Sequence, residues 1–148
     1  CRASCAEGEV HPEGIVKRTH FHTMAMYAGL LQENVAPAHI ESDRLTHGES
    51  SVALVDAIAT VDDLGTTWTV AMINRHPSEA VRCSVSLGDI PIDGILQATI
   101  LTGDSPDAFN DIEQPNRVVP EKIQLVFKEG AVNLPPHSLC IIEMSLHK

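Results

Sequence analysis

Val81, Cys83, Val85 and Leu87 alternate with Arg82, Ser84 and Ser86. That period of two commits the segment to a strand with one face in the core and the other in water. The same spacing recurs at Trp68, Val70 and Met72, at Leu96, Ala98 and Ile100, at Ile123, Leu125 and Phe127, and at Cys140, Ile142, Met144 and Leu146. Turn chemistry separates these runs: Asp62-Asp63-Leu64-Gly65, His76-Pro77-Ser78, Pro91 to Gly94, Glu129-Gly130 and Pro135-Pro136. Short strands punctuated this often indicate an antiparallel sandwich or barrel. Val52 to Val61 is an apolar run with Asp56 as its one charge and reads as one strand covered on both faces.

One segment departs from this rhythm. From Ile15 to about Leu31 the apolar residues Phe21, Met24, Ala28 and Leu31 fall at helical spacing, with Tyr27 and Leu30 widening the stripe. Asn34 and Pro37 stop it. The expected fold is therefore all-β, an antiparallel β-sandwich preceded by one amphipathic α-helix. Its expected division is 1–38 for the N-terminal loop and helix and 39–148 for the sandwich. The helix either packs on a sheet face or, lacking a partner, drives homo-oligomer formation.

With 148 residues the chain has enough length for one domain with a real core. The formal charge of -10 repels phosphate backbones, so a nucleic-acid partner is not expected. No apolar run approaches the roughly 18 residues of a membrane span, and there is no signal peptide and no N-x-S/T sequon. A cytoplasmic protein is expected. Starting at Cys1 without an initiating Met, the chain also reads as part of a longer one. Of the four cysteines, Cys83 and Cys140 sit inside apolar alternations and read as buried free thiols, whereas Cys1 and Cys5 lie at the extreme start.

Between the strands ending at Leu101 and restarting after Pro120 runs the acidic loop LTGDSPDAFNDIEQPNRVVP. Loops of this length are uncommon unless functional or self-packed. Asp104, Asp107, Asn110 and Asp111 suit Asx-turns, Phe109 is the expected apolar anchor, and Arg117 is placed to pair with a carboxylate and close the loop. The loop has oxygens for Ca2+ but neither the spacing nor the glycine of an EF-hand. His20 and His22, two apart on a helix, point to different sides and lack the further ligands zinc requires.

Glu41, Glu49 and Glu113 are available as a glycosidase pair but sit in connectors with nothing to fix their separation. Ser138 follows His137 in a Pro-Pro turn without a G-x-S-x-G context. Aromatics make up only 3% of the residues, so Trp68, Tyr27, Phe21, Phe109 and Phe127 do not form an evident sugar-stacking platform. No catalytic, cofactor or metal residue is assigned.

Four strings carry information of another kind: INRHPSEA at 73–80, LTGDSPDAFND at 101–111, QPNRVVP at 114–120 and LPPHSLCIIEM at 134–144. In this order they resemble the C-terminal domain of α-L-arabinofuranosidases of glycoside hydrolase family 51. GIVKRTHFHTMAMYA at 14–28 is similar to that family's last barrel helix, with Phe21-His22-Thr23-Met24 where Tyr-Tyr-Pro-Phe is common. The resemblance implies a jelly-roll-type sandwich that follows, and packs on, a catalytic (β/α)8 barrel. It also implies that the two catalytic glutamates of a retaining arabinofuranosidase lie upstream of residue 1. The chain itself is then non-catalytic, needs no cofactor and has the barrel as partner, the alternative being a carbohydrate-binding module.

Overall fold

The computed structural model describes residues 9–11 and 14–145. In chain order it contains β1 (Glu9–His11), β2 (Gly14–Val16), α1 (Thr19–Leu30), β3 (Asn34–Ala36), β4 (Arg44–His47), β5 (Ser50–Ala53), β6 (Val55–Val61) and β7 (Thr67–Asn74). There follow β8 (Val81–Ser84), β9 (Ser86–Leu87), β10 (Ile90–Pro91), β11 (Gly94–Leu101), β12 (Glu121–Phe127), β13 (Ala131–Leu134) and β14 (Ser138–Ser145). Six strands form one sheet in the order β12-β11-β14-β7-β6-β3, and all the pairings are antiparallel.

Each face of this sheet has its own cover. On one side Val70, Met72, Ala98, Ile100, Leu125, Phe127, Cys140, Ile142 and Met144 meet Val132 and Leu134 of the two-stranded sheet β13-β8, with half-buried Cys83 and Val85 behind them. This is the sandwich core. Leu134 and Phe127 are almost wholly buried, and each such side chain contributes roughly 1.5–3 kcal/mol. The strand alternation from Val81 to Leu87 holds, but the ladder breaks at Val85, whose amide donates to the Gly130 carbonyl at 2.8 Å. β12 reaches β13 through a two-residue turn in which both Glu129 (φ 51°) and Gly130 (φ 81°) are left-handed, the geometry that matches strand twist.

On the opposite face Ala71, Leu101, Leu139 and Ile141 meet Met26, with Tyr27, Leu30 and Leu31 alongside, and Val118 of the long loop. The helix therefore folds back onto the sheet. Gln32 fixes it there, its backbone amide donating to Thr60 Oγ1 at 2.9 Å and its side-chain amide to Thr69 Oγ1 at 3.3 Å. Thr60 and Thr69 are buried, and these bonds satisfy them.

Three expectations need correction. The helix begins at Thr19, not Ile15, because Gly14–Val16 pairs with Glu9–His11 as a strand. Its inward face centres on Met26, with half-buried Thr23 and the expected Tyr27, Leu30 and Leu31 beside it, whereas Met24 and Ala28 of the expected stripe are exposed; Met26 is 3% exposed and Met24 69%. Apolar residues surround this helix so evenly that spacing alone did not select the face. Finally, the run Val52–Val61 is two strands in different sheets, bent at Leu54. The Leu54 amide is taken by the Asp43 carbonyl and that of Val55 by Ser42 Oγ, both at 2.8 Å, which sends β5 to β4 and β6 to β3 and β7. Leu146 lies outside the described residues.

The helix register is testable by substitution. Met26→Ala should cost about 2–4 kcal/mol of unfolding free energy, and Met24→Ala less than about 0.5 kcal/mol, measured by urea denaturation of the chain.

Candidate functional site

Three connections meet where β7 and β11 end and β14 begins, beside α1: the turn after Asn74, the loop after Leu101 and the Pro135-Pro136 turn. They enclose an open cleft of ≈ 390 Å³ lined by apolar Ile73, Leu101, Ala108, Val118 and Leu139, with Thr19 and Thr23 of α1 facing it. Asn74, at the end of β7, is 1% exposed. Its side-chain amide donates to the carbonyls of Glu79 (3.0 Å), Leu134 (3.2 Å) and Pro135 (2.9 Å), and its Oδ1 accepts the His76 amide at 2.9 Å. Two N–H groups shared among three acceptors leave the side chain fully engaged.

The long loop is ordered by a second buried amide. Asn110 is 0% exposed; its Nδ2 donates to the carbonyls of Lys17 and Val118, both at 2.8 Å, and its Oδ1 accepts the Val118 amide at 2.7 Å. Arg117 closes the loop as expected, donating through Nε and Nη2 to the Asp104 carboxylate at 3.0 and 3.1 Å. Asp111 Oδ1 accepts the Gln114 amide at 2.7 Å. Gly103 starts the loop because a Cβ there would stand 2.6 Å from that of Ala108. Phe109 is not the anchor: it is 48% exposed, with the Arg18 guanidinium 6.0 Å from its ring. Fixing this loop required partners for its backbone amides and carbonyls, which an amide side chain supplies and a phenyl ring does not.

The chemistry that weighed against catalysis in the sequence can now be placed. Ser138 is buried and its hydroxyl donates to the Pro135 carbonyl at 2.7 Å. Both ring nitrogens of His137 lie 2.9 Å from backbone carbonyls, those of Pro77 and Gly103. Neither side chain is presented as a nucleophile or base. Glu41, Glu49 and Glu113 stand exposed in the β3–β4 connection, at the β4–β5 hairpin tip and in the long loop. His22, edge-on to Phe21, has its pKa lowered by burial and then by Lys17. Among the described residues no group of three or more His, Cys, Asp or Glu is placed to hold a metal ion. Cys83 and Cys140 are free thiols; burial raises the first and pushes the second up to about 11, so neither supplies a thiolate at neutral pH. Trp68 and Phe127 belong to the sandwich core and Tyr27 to the helix-side core.

The profile of the α-L-arabinofuranosidase C-terminal domain family matches residues 8–138. The chain belongs to that family. Among solved structures it is similar to the α-L-arabinofuranosidase of Thermotoga maritima crystallised with arabinose, with a TM-score of 0.82 and 18% identity over 95% of this chain and 31% of that one. The enzyme from Thermotoga petrophila aligns with a TM-score of 0.81 and 18% identity over 94% and 31% of the two chains. That from Xanthomonas axonopodis pv. citri does so with 0.74 and 24% over 87% and 26%. The chain thus spans between about a quarter and a third of the length of these enzymes. A search of curated proteins finds no match.

The arabinofuranosidase-domain strings turn out to be the residues that build this corner. INRHPSEA brings Asn74 and His76, the loop strings bring Gly103, Asp104, Asn110, Arg117 and Val118, and LPPHSLCIIEM brings His137, Ser138 and the central strand β14. Asn74 was not singled out as a structural residue, its only signal being membership of those strings; Asn110 was expected to order the loop through a local Asx-turn and does so instead by bonding the distant Lys17 and Val118 backbone. Asn110→Ala should lower unfolding free energy by about 2–4 kcal/mol, since three bonds go and buried backbone groups lose their partner. Arg117→Ala, removing an ion pair open to water, should cost less than about 1 kcal/mol. Thermal or urea unfolding of the two variants checks the ranking.

Proposed function

We propose that this chain is the non-catalytic, supporting C-terminal domain of a larger arabinofuranosidase, which hydrolyses terminal α-L-arabinofuranosyl bonds with retention. The catalytic glutamates belong to a (β/α)8 barrel upstream. One observation carries the reading: the helix-side cover of the sheet is finished on its inner surface and unfinished on its outer one. Ile15 (67% exposed), Met24 (69%), Phe109 (48%) and Ile112 (51%) stand in water on β2, α1 and the long loop. Side chains of this size on adjoining elements suit a permanent intramolecular partner. Residues 1–38, in this reading, lead out of the barrel and 39–148 form the sandwich, with α1 packed between them and β3 of the first stretch joined to the sandwich sheet.

A carbohydrate-binding role lacks a comparable observation, because the larger aromatic rings are spent on the two cores. The isolated chain should show no turnover of a chromogenic arabinofuranoside and no heat of binding with arabinoxylan oligosaccharides. In the full-length enzyme Met24→Asp should lower Tm by about 4 °C or more and reduce activity at elevated temperature, while in the 148-residue chain it should leave Tm unchanged. Equal effects in the two contexts would contradict docking through this face, and turnover by the chain alone would contradict a supporting role.

A further inference from the structure

β12 ends the six-stranded sheet, paired with β11 along one side and with no strand along the other. It passes into β13 through the Glu129-Gly130 turn, closed by a reciprocal pair: the Lys128 amide donates to the Ala131 carbonyl at 3.0 Å and the Ala131 amide to the Lys128 carbonyl at 2.9 Å. Beyond that pair the hairpin splays, because β13 goes on to pair with β8 in a separate sheet. The next pair of a continuing hairpin, Val126 with Asn133, is therefore not made. Backbone groups alternate sides along a strand, so the amides and carbonyls of Lys122, Gln124 and Val126 point as those of Lys128 do, away from β11, and those of Asn133 point into the splay. The mouth of the splay is a groove of ≈ 370 Å³ lined by Arg82, Val126, Lys128, Ala131, Val132 and Asn133.

The side chains along this edge define what fits it. Lys122, Gln124, Val126 and Lys128 share the outward face of β12, Val126 being 51% exposed, and Arg82 stands across the groove in register with Asn133. The chain carries a formal charge of -10, yet Arg82, Lys122 and Lys128 have no ion pair among the described residues, whereas Arg75 and Arg117 are held by Asp56 and Asp104. Glu121 alternates onto the other face and Glu129 lies in the turn, so the outward row is cationic. On that other face Ile123, Leu125 and Phe127 belong to the sandwich core. We propose that the β12 edge is a strand-addition site for an extended segment of another polypeptide, acidic at the outward positions beside Lys122 and Lys128 and apolar at the inward ones beside Leu125 and Phe127. The added backbone pairs the open amides and carbonyls, and its carboxylates meet the unpaired cations. A second copy of this chain does not fit: two β12 edges paired about Gln124 bring Lys122 and Lys128 of the two copies diagonal to each other, and like charges across strands repel. β12 takes no part in the helix-side core, so the site is independent of docking through α1.

The test titrates the 15N-labelled 148-residue chain, in low-salt buffer, with the end-blocked heptapeptide Glu-Ile-Val-Ile-Thr-Val-Glu. Its first and last residues fall beside Lys128 and Lys122, and its second, fourth and sixth face the core side. The Gln124 and Val126 amides should shift on binding and exchange at least about tenfold more slowly. Replacing both glutamates of the peptide by lysine, or introducing Lys128→Glu in the chain, should weaken binding about fivefold or more, since a cross-strand attraction becomes a repulsion. Gln124→Pro removes an amide that faces away from β11 and should abolish binding by a folded chain. The proposal is overturned by unshifted Gln124 and Val126 amides, by equal binding of the acidic and lysine peptides, or by shifts at this edge that follow protein concentration without peptide, the mark of a second copy. Should Gln124→Pro not fold, Lys128→Glu and the peptide pair decide.

Discussion

Two buried side-chain amides, Asn74 and Asn110, are the constraint on which the rest of the molecule depends. Between them they engage backbone groups of four segments distant in sequence: the chain before α1, the turn after β7, the long loop and the turn before β14. A buried backbone carbonyl without a donor costs about 1–3 kcal/mol, and loops leaving the same end of a sheet present several. Supplying the donors from one residue type at two points lets long connections lie against the sheet without regular structure of their own.

That arrangement explains how a sheet buried on both faces arises in a small domain. The sandwich side closes in the ordinary way, with β13 and β8 covering alternate residues of the large sheet. The other side has no second sheet. It is closed by one helix and one loop, both of which need tethers, and Gln32 and Asn110 are those tethers. The central strand β14 accordingly buries five consecutive residues, from Ser138 to Ile142. The docking proposed above would use the outer surface of the same cover, where Ile15, Met24, Phe109 and Ile112 stand exposed.

Much of this was legible from residue patterns. Period two located β7, β11, β12 and β14, because every second residue of each points into the sandwich core. Asp62-Asp63-Leu64-Gly65 marked its hairpin correctly: Asp62 Oδ1 accepts the Thr67 and Thr66 amides at 3.0 and 2.7 Å and its Oδ2 the Thr66 hydroxyl at 2.8 Å, and these bonds hold its carboxyl below the usual range against desolvation, which raises it. The short strands β3, β4 and β13 were missed, since three or four residues carry no readable period. The helix face was misread because Met24 and Met26 are chemically alike and only tertiary packing distinguishes them. Phe109 was favoured over Asn110 for a related reason. Hydrophobicity is visible residue by residue, whereas the value of a buried amide depends on which backbone groups the fold leaves unpaired. Of the candidate site, the sequence showed the carboxylates scattered over connectors and the His137-Ser138 pair in a turn; it did not show that the fold engages both of the latter with backbone carbonyls, which depends on tertiary packing.

The account turns on the long loop being part of the cooperative core, and the Val118 amide reports this most directly. It donates to Asn110 Oδ1 at 2.7 Å in a position 2% exposed. Native-state hydrogen exchange of the chain should show this amide exchanging only through global unfolding, with the same free energy as the amides of β14 and the same response to denaturant. Exchange through a local opening, several kcal/mol easier than that of β14 and insensitive to denaturant, would contradict it.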